Sequence, residues 1–308
     1  MVENQNPRVA IVVINWNGGD DTLACLDSLA RVQYPERYVL VVDNASQDGS
    51  PERIRACHPE VTLLESRTNL GFAGGNNLGM KVALQKGADY VLLLNHDTLV
   101  SPDFLEKMVS VGEADPSIGV LGPTIYYHTR PEVIWSAGGA IDWKHGVARM
   151  IGMDETDQGQ YGLKPRAVDF VTGCAMLVKR KTLEAAGLLD EGFFAYYEEV
   201  EWCVRIRRAG YQIVYVPGAT IWHKISPEAR EASATVHYYM TRNRLLFLKK
   251  AGAGGRAWAH TLFSEYLRTL VSWSIRPKWR HRREQRRAMV QAIWDYFRGK
   301  TGMRGVQP

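Results

Sequence analysis

Short apolar runs alternate with helical patterns through the first half of the chain. Leu23, Leu26 and Leu29 recur at the spacing of a buried helix face. Other runs have the length and composition of buried strands, at 9–14, 38–42, 61–64, 90–94 and 118–121, and further helical patterns occupy 78–85 and follow Ser101-Pro102. This alternation predicts an α/β fold in which helices cover both faces of a mostly parallel sheet.

The second half of the chain is less regular. Its pattern predicts a hairpin within 134–150, a loop at 158–166, a strand at 170–178, a helix at 198–208 ended by Gly210, a strand at 211–216 stopped by Pro217-Gly218, and a helix at 236–250. No internal repeat or low-complexity segment interrupts this order.

One predicted strand ends abruptly in a carboxylate. Asn95-His96-Asp97 follows an apolar run, and the carboxyl ends of strands in open α/β sheets are where ligands bind. Mg²⁺ and Mn²⁺ prefer oxygen ligands, and a site often combines one or two carboxylates with substrate phosphates. Asp97 is therefore a candidate metal ligand. The alternative is a polar residue that simply ends a strand.

Two further strand ends should share this edge of the sheet. The first strand ends at Asn15 and Asn17, and the second ends at Asp43 and Asn44. The Asp43 carboxylate could accept hydrogen bonds from a base or ribose, and backbone amides near Asn15 could hold a nucleobase edge. The alternative is ordinary turn chemistry, in which Asn, Asp, Ser and Gly are common for local reasons.

A glycine-rich stretch at 69–77 leads into the helical pattern at 78–85. Glycine lets the backbone approach a ligand closely, and a helix N-terminus favours phosphate, so Asn69, Gly74 and Asn76 are candidate donor-binding residues. The spacing matches neither a Walker A loop nor the GxGxxG fingerprint, and on composition alone the phosphate signal is weak.

Three glutamates open the predicted helix at 198–208, directly after the aromatic stretch at 193–197. Carboxylates clustered beside an apolar wall have raised pKa values, which suits a general base working near neutral pH. Glu198 and Glu199 are the candidates. The alternative is that the helix dipole favours Glu in the first turn, which explains one or two of the three but not the aromatic residues.

His223 follows the short strand pattern Thr220-Ile221-Trp222. A histidine beside a tryptophan is usually a packed, hydrogen-bonded residue. It matters to a metal site only if the fold brings it to Asp97.

The composition is that of an ordinary globular protein with unevenly placed charge. The 308 residues are 45% hydrophobic and 23% charged, enough for one large domain or two smaller ones. Residues 251–308 carry 12 Lys or Arg and 3 acidic residues, a balance of +9, whereas the other 250 residues sum to 26 minus 30, or −4. The four scattered cysteines suggest neither a zinc site nor a disulfide framework, so we expect a reducing cytosol. The first residues lack a signal-peptide pattern, and no apolar stretch is long enough for a transmembrane helix.

The segment 251–308, called the tail below, mixes apolar residues with a dense basic run at 276–287. A cationic amphipathic segment with Trp and Tyr suits the surface of an anionic membrane. The alternative is a helical appendage packed on the rest of the chain, with a solvated basic face. The tail carries no nucleic-acid-binding motif, so we predict no nucleic-acid partner.

Together these motifs resemble glycosyltransferase family 2, most closely its bacterial rhamnosyltransferase-like branch. The resemblance covers about 8–250 and rests on the segments 12–17, 41–50, 69–77, 95–97, 173–176, 196–201 and 238–247. It implies a GT-A fold over 1–250, with a nucleotide-binding half at about 8–125 and an acceptor half at about 126–250. The basic helical tail 251–308 would follow as an extension.

The resemblance also implies inverting transfer of a sugar, rhamnose in this branch, to a hydroxyl of a cell-surface glycan precursor. The donor would be dTDP-rhamnose or a UDP-sugar, and the acceptor a glycan or lipid-linked glycan. Asp97 would hold Mg²⁺ or Mn²⁺, His223 would complete the metal or diphosphate site, and Glu199 would deprotonate the acceptor hydroxyl. The predicted donor-binding residues are Asn15, Asn17, Asp43, Asn44, Asn69, Gly74, Asn76, Asn95 and Asp97.

Two departures from the family pattern affect these roles. Asn95-His96-Asp97 has one carboxylate where the family motif has two, so the protein alone would hold the metal weakly. The acidic helix begins Glu198-Glu199 where the family has Glu-Asp, which leaves Glu198 as the alternative base.

We expect the chain to act in the cytoplasm, peripherally at the inner face of the membrane, and leave open whether it is a homodimer. Two rival functions also stay open. A polyprenyl-phosphate sugar synthase would need no base because its acceptor is already ionised. A catalytically idle scaffold would bind the nucleotide sugar without transferring it.

Overall fold

The computed structural model describes residues 6–225 and 233–305. The strands are β1 (Val9–Asn15), β2 (Arg37–Asp43), β3 (Thr62–Glu65), β4 (Tyr90–Asn95), β5 (Thr98–Val100), β6 (Ile118–Tyr127), β7 (Arg130–Ser136), β8 (Gly139–Asp142), β9 (Val147–Met150), β10 (Arg166–Ala167), β11 (Ala175–Lys179) and β12 (Gln212–His223). The α-helices are α1 (Gly19–Ala30), α2 (Ser50–Cys57), α3 (Gly71–Gln85), α4 (Phe104–Ala114), α5 (Arg180–Ala186), α6 (Glu198–Arg208), α7 (Ala234–Lys250), α8 (Gly255–Ala259), α9 (Arg268–Ile275) and α10 (Arg283–Phe297).

One large sheet organises the chain, in the order β10-β12-β6-β11-β4-β1-β2-β3. The strands β3, β2, β1 and β4 run parallel, and β12 runs parallel to β6. β11 lies between β4 and β6 and is antiparallel to both. Because β2 and β4 flank β1 on opposite sides, the strand order reverses beside β1, which is where ligands bind in open sheets.

Helices cover both faces of this sheet, as predicted. Successive side chains of a strand point to opposite faces, so Val9, Ile11 and Val13 join one core and Ala10 and Val12 join the other. The first core is covered by α1 and α4, and the second by α3, α6 and α7. The prediction of a mostly parallel sheet between two helical layers is therefore confirmed.

Several predicted element bounds are wrong in instructive ways. The third helix begins at Gly71, so most of the glycine-rich stretch is helical rather than a loop. The helix expected after Ser101-Pro102 begins at Phe104, because β5 and a turn occupy the preceding residues. The strand predicted at 170–178 is confined to Ala175–Lys179, after a turn.

The strand predicted to stop at Pro217-Gly218 instead continues to His223. The register of β12 against β6 shifts between Val216 and Thr220, so these residues form a bulge. A bulge is one of the few places where a strand tolerates proline, which has no N–H for the ladder.

The tail is helical and packs on the rest of the chain. A π-helical stretch (His260–Leu267) joins α8 to α9, and α10 returns against α7. Tyr238 and Tyr239 of α7 share a small core with Ala288 and Ala292 of α10. Within the described part of the chain, no helix combines the length and the apolar character required to cross a bilayer.

Candidate active site

The carboxyl ends of β1, β2 and β4 meet at one edge of the sheet. Asn15 pairs in register with Asp43, and Ile14 pairs with Asn95. The polar residues predicted from three separate segments are therefore neighbours here.

Asn15 organises this edge from a fully buried position. Its Nδ2 donates to Asp43 Oδ1 and Ser50 Oγ, at 2.7 Å in each case. Its Oδ1 accepts a hydrogen bond from Thr22 Oγ1 at 2.7 Å. The Asp43 Oδ2 accepts the Ser46 backbone N–H at 3.0 Å. Both predicted donor-binding side chains are thus held by protein partners, which fixes the orientation of the Asp43 carboxylate.

The loop residue Asn17 is exposed and has a left-handed backbone, with φ +52°. Its Oδ1 accepts the Gln47 N–H at 2.8 Å and its own N–H donates to Ser46 Oγ at 2.9 Å. These bonds tie the loop after β1 to the loop after β2. Asparagine is one of the few non-glycine residues that adopts this backbone conformation readily, so the tight turn after β1 is built without glycine at this position.

Asn44 and Asn69 fasten the first turn of α3. Asn44 Nδ2 donates to the Gly71 carbonyl at 2.9 Å, and Asn69 Oδ1 accepts the Gly71 N–H at 2.8 Å. A Cβ on Gly71 would lie 2.5 Å from Phe194, and φ there is +72°, so only glycine fits.

Gly74 and Asn76 lie on α3 itself rather than on a free loop, and both are buried. Asn76 Nδ2 donates to the Phe72 carbonyl at 3.1 Å, and a Cβ on Gly74 would lie 2.9 Å from Leu70 Cβ. The Ala73 N–H in the first turn donates to the Phe194 carbonyl at 3.1 Å. Backbone N–H groups in the first turn of α3, which the sequence predicts as a phosphate site, therefore already donate to protein acceptors.

Asp97 and His223 are brought together by strand pairing. β5 pairs antiparallel with the end of β12, with His223 opposite Thr98, and the Lys224 N–H donates to the Asp97 carbonyl at 2.9 Å. As a result, His223 Nε2 lies 3.2 Å from Asp97 Oδ1. The His223 ring also packs edge-on against Trp135, with ring centroids 4.6 Å apart.

These two side chains fit a divalent cation. Adjacent ligands of an octahedral site with bonds of about 2.1 Å lie about 3 Å apart, close to the observed separation. His223 Nδ1 is buried without a hydrogen-bond partner among the described residues, and a buried polar atom of this kind is uncommon in folded proteins and calls for an explanation such as an ion. Among the residues the structure describes, no group of three His, Cys, Asp or Glu forms a ligand set.

The Asp97 carboxyl is held in its ionised form. Burial raises its pKa, but the contact with the His223 side chain outweighs burial, so the pKa of Asp97 lies below its ordinary value. An ionised carboxylate is the form that binds a cation.

The aromatic loop (Phe193–Tyr197) is strained directly before the acidic helix α6. Phe194, Tyr196 and Tyr197 all have left-handed backbones, with φ between +66° and +72°. Non-glycine residues keep such conformations only where the surroundings over-determine them, and they cluster at functional sites. The loop lies against the first turn of α3 through Phe194. This contact places α6 beside the sheet edge formed by the carboxyl ends of β1, β2 and β4.

Arg242 and Asn243 of α7 hold this loop from behind. Asn243 Nδ2 lies within 2.6–2.8 Å of the Phe193, Ala195 and Tyr196 carbonyls. Arg242 Nη2 donates to the Phe193 carbonyl at 2.9 Å. Sequence reasoning gave these two residues no role, although they lie in a segment that carried the family resemblance.

The three glutamates of α6 have different environments. Glu201 is paired with Arg205, both carboxylate oxygens lying 2.9 Å from Arg205 Nε. Glu198 and Glu199 each keep a buried Oε2 with no hydrogen-bond partner among the described residues. Burial raises the pKa of Glu199 to about 6. Burial and then the Glu199 charge raise the pKa of Glu198 well above its usual value.

Most of the chain is similar to known proteins. The family model described as "Glycosyltransferase like family 2" matches residues 7–243. The chain is 29% identical over 230 residues to the N-acetylglucosaminyl-diphospho-decaprenol L-rhamnosyltransferase of Mycobacterium tuberculosis, covering 69% of this chain and 75% of the relative. It is 26% identical over 245 residues to the low-salt glycan biosynthesis hexosyltransferase Agl10 of Haloferax volcanii, covering 77% and 74%.

A solved structure shares the fold across nearly the whole chain. The mannosyltransferase PcManGT of Pyrobaculum calidifontis, in complex with GDP-Man and Mn²⁺, superposes with a TM-score of 0.60 at 18% identity, over 96% of this chain and 89% of that one. The GT-A type of fold expected from the sequence is therefore confirmed, and the chain belongs to glycosyltransferase family 2.

Proposed function

We propose that this chain is a metal-dependent inverting glycosyltransferase that moves a sugar, rhamnose, from a nucleoside diphosphate to a hydroxyl of a lipid-linked glycan precursor. The observation that carries this proposal is Glu199, a half-buried side chain whose buried Oε2 has no hydrogen-bond partner among the described residues and whose pKa is raised. It lies at the start of α6, beside the sheet edge formed by the ends of β1, β2 and β4. The name of the Mycobacterium tuberculosis relative supports rhamnose and a lipid-linked acceptor, whereas that of the Haloferax volcanii relative leaves the hexose open.

Donor binding would use the edge formed by β1, β2 and β4. Asp43 would accept hydrogen bonds from the base or ribose, with the loops at Asn17 and Asn44 as the walls. Asp97 and His223 would hold Mg²⁺ or Mn²⁺, with donor phosphates and water as the remaining ligands. Such a cation neutralises the charge that develops on the leaving diphosphate.

Proton transfer would fall to the acidic helix. At neutral pH Glu199, with a pKa of about 6, is ionised and can take the proton of the acceptor hydroxyl. Burial and the Glu199 charge raise the pKa of Glu198 and so favour its protonated form, and Glu201 is bound to Arg205. The environments therefore favour Glu199 as the base.

An anionic membrane surface is the proposed partner of the tail. Leu262, Tyr266 and Leu270 pack inward on the core formed with Met289. A second apolar face points outward, and its members are 46–71% exposed: Phe263, Leu267, Val271 and Ile275. A helical appendage that only packs on the domain has no need of this second face.

The basic residues next to this outward face favour an anionic bilayer as its partner. Beside the face, the segment 276–287 has seven Lys or Arg and one acidic residue, Glu284. Exposed cations in this segment are Arg276, Lys278, Arg280, Arg283 and Arg287. Each cation near such a surface contributes about 1 kcal/mol, and the apolar face would lie in the interface without crossing it. We therefore propose that the chain acts at the cytoplasmic face of the cell membrane.

Calorimetric titration of UDP and dTDP, with and without Mn²⁺, tests the proposed function. Metal-dependent binding of dTDP supports a rhamnosyl donor, and preference for UDP supports a hexose or acetamido sugar. At about 100 times the dissociation constant, bound nucleotide should also stabilise the fold by about 2.7 kcal/mol. Absence of binding by either nucleotide overturns the transferase proposal. Clear nucleotide binding without donor hydrolysis or transfer indicates the idle scaffold instead.

A further inference from the structure

The last described residues close over the start of the aromatic loop. The segment Gly299–Gly305, called the C-terminal strap, follows α10 and turns back towards α7. The Gly302 N–H donates to the Gly192 carbonyl at 2.7 Å, and the Arg304 N–H donates to Tyr239 Oη at 2.8 Å. Tyr239 in turn stacks on Phe194 of the loop, with ring centroids 5.2 Å apart. The strap therefore bonds to the residue directly before the loop and reaches the loop itself through Tyr239.

Arg242 joins the strap to the loop. Its side chain is 1% exposed and lies over the rings of Tyr238 and Tyr239. Nη1 donates to the Gly302 carbonyl at 2.6 Å, and Nη2 donates to the Phe193 carbonyl at 2.9 Å. A buried cation is tolerated only when its donors have hydrogen-bond partners. The Arg242 guanidinium therefore requires both carbonyls, and its two hydrogen bonds fix their relative position.

We propose that Arg242 and the C-terminal strap are positioning elements for Glu199, so that the tail is part of the catalytic unit as well as an extension of it. Three left-handed residues cannot hold themselves in place between the strap and α6. Arg242 supplies the rigid fork that fixes the start of the loop, and the strap supplies one of its acceptors. This inference rests on the proposed role of Glu199 as base.

Two variants test it. Arg242→Lys keeps the charge but loses the planar fork, and truncation after Arg298 removes the strap. Both should lower kcat by about 100-fold while leaving nucleotide affinity unchanged, because only the base is displaced. The acid limb of the kcat profile should also move from about pH 6 towards the ordinary Glu range, because an open loop admits water to Glu199. Controls are Arg298→Lys, at an exposed arginine, and truncation after Gly305, which keeps the strap.

Hydrogen exchange of the amides in 193–199 gives a readout that does not need activity. Faster exchange in the two variants, with the amides of β1 unchanged, supports the inference. A variant with unchanged exchange and an unchanged pH profile overturns it, and so does a loss of nucleotide affinity in step with kcat, which indicates general unfolding. If the unmodified chain transfers no sugar, the proposed function fails, while hydrogen exchange still decides whether the strap holds the loop.

Discussion

His223 Nε2 lies 3.2 Å from Asp97 Oδ1, although the two residues are separated by 126 positions (223 minus 97). The short strand β5 makes this possible by pairing with the end of β12 immediately after Asp97. β12 continues through the bulge at Pro217-Gly218, and its last residues pair with β5. A strand that ended at the proline would not bring His223 to Asp97.

Substitution of either member should remove the metal dependence of nucleotide binding. Asp97→Ala deletes the anionic ligand. Removal of a residue that only supports a metal ligand costs about 10- to 100-fold in metal affinity, so we expect the loss of Mn²⁺-dependent nucleotide affinity in Asp97→Ala to be larger than that. His223→Ala should weaken the same component less, because a neutral ligand is lost. Calorimetry of UDP and dTDP with and without Mn²⁺ measures both, with Asp27→Ala on the exposed surface of α1 as the control. Unchanged metal dependence in Asp97→Ala would contradict the assignment.

Replacement of the two glutamates should separate their roles. Glu199→Gln keeps the shape of the side chain but cannot accept the proton, so transfer should fall by about 10²- to 10⁴-fold with donor binding retained. Glu198→Gln should cost far less, because burial and the Glu199 charge raise the pKa of Glu198 and favour its protonated form over the ionised form that a base needs. Steady-state transfer and nucleotide calorimetry give the two quantities. Full activity of both variants would favour the polyprenyl-phosphate sugar synthase, whose acceptor needs no base.

The rate of transfer should rise with pH through about 6. Burial raises the pKa of Glu199 to about 6, and the base acts only when ionised, so the acid limb of kcat belongs to this group. A profile of kcat against pH at saturating donor and acceptor measures it. An acid limb near the usual pKa of a solvated glutamate would show that another group titrates.

Stability should respond to pH in the opposite sense. In the folded chain the pKa of Glu198 lies above its unfolded value near 4.5, so the folded state binds more protons and its stability falls as pH rises above about 4.5. Glu198→Gln should remove part of this loss, raising Tm at about pH 8 more than at about pH 5. Thermal melts at the two pH values check this, with exposed Glu184→Gln as the control. An equal change in Tm at both values would refute it.

Most of the sheet could be predicted because its central strands are continuous apolar runs bounded by turn residues. The runs at 9–14, 38–42 and 90–94 differ from β1, β2 and β4 by only a residue at either end. β5 could not be predicted in this way, since three residues carry no periodicity. β12 was cut short because proline and glycine indicate a stop unless a bulge absorbs them.

The sequence predicts which residue types form the candidate site, but not how those residues are arranged in space. Asp97 and Glu199 were recognised because carboxylates at a strand end and beside aromatic residues have a local chemical meaning. Trp135 and Arg242 were not, because each acts through contacts far away in sequence. A buried arginine that bonds mainly to backbone carbonyls has no signature in a single sequence.

The outward apolar face of the tail should bind anionic vesicles. Sedimentation with phosphatidylcholine vesicles should show binding only when phosphatidylglycerol is included, and the binding should weaken at about 1 M salt, where the Debye length is about 3 Å. The double variant Phe263→Ser/Ile275→Ser should reduce partitioning by at least about tenfold, because two side chains that are 65% and 71% exposed lose their burial in lipid. Leu163→Ser, at a loop residue that is 91% exposed, should change nothing. Equal binding to neutral and anionic vesicles would contradict the role of the basic segment. If the unmodified chain is a dimer in solution and the double variant is a monomer, the partner of this face is a second copy of the chain rather than a membrane.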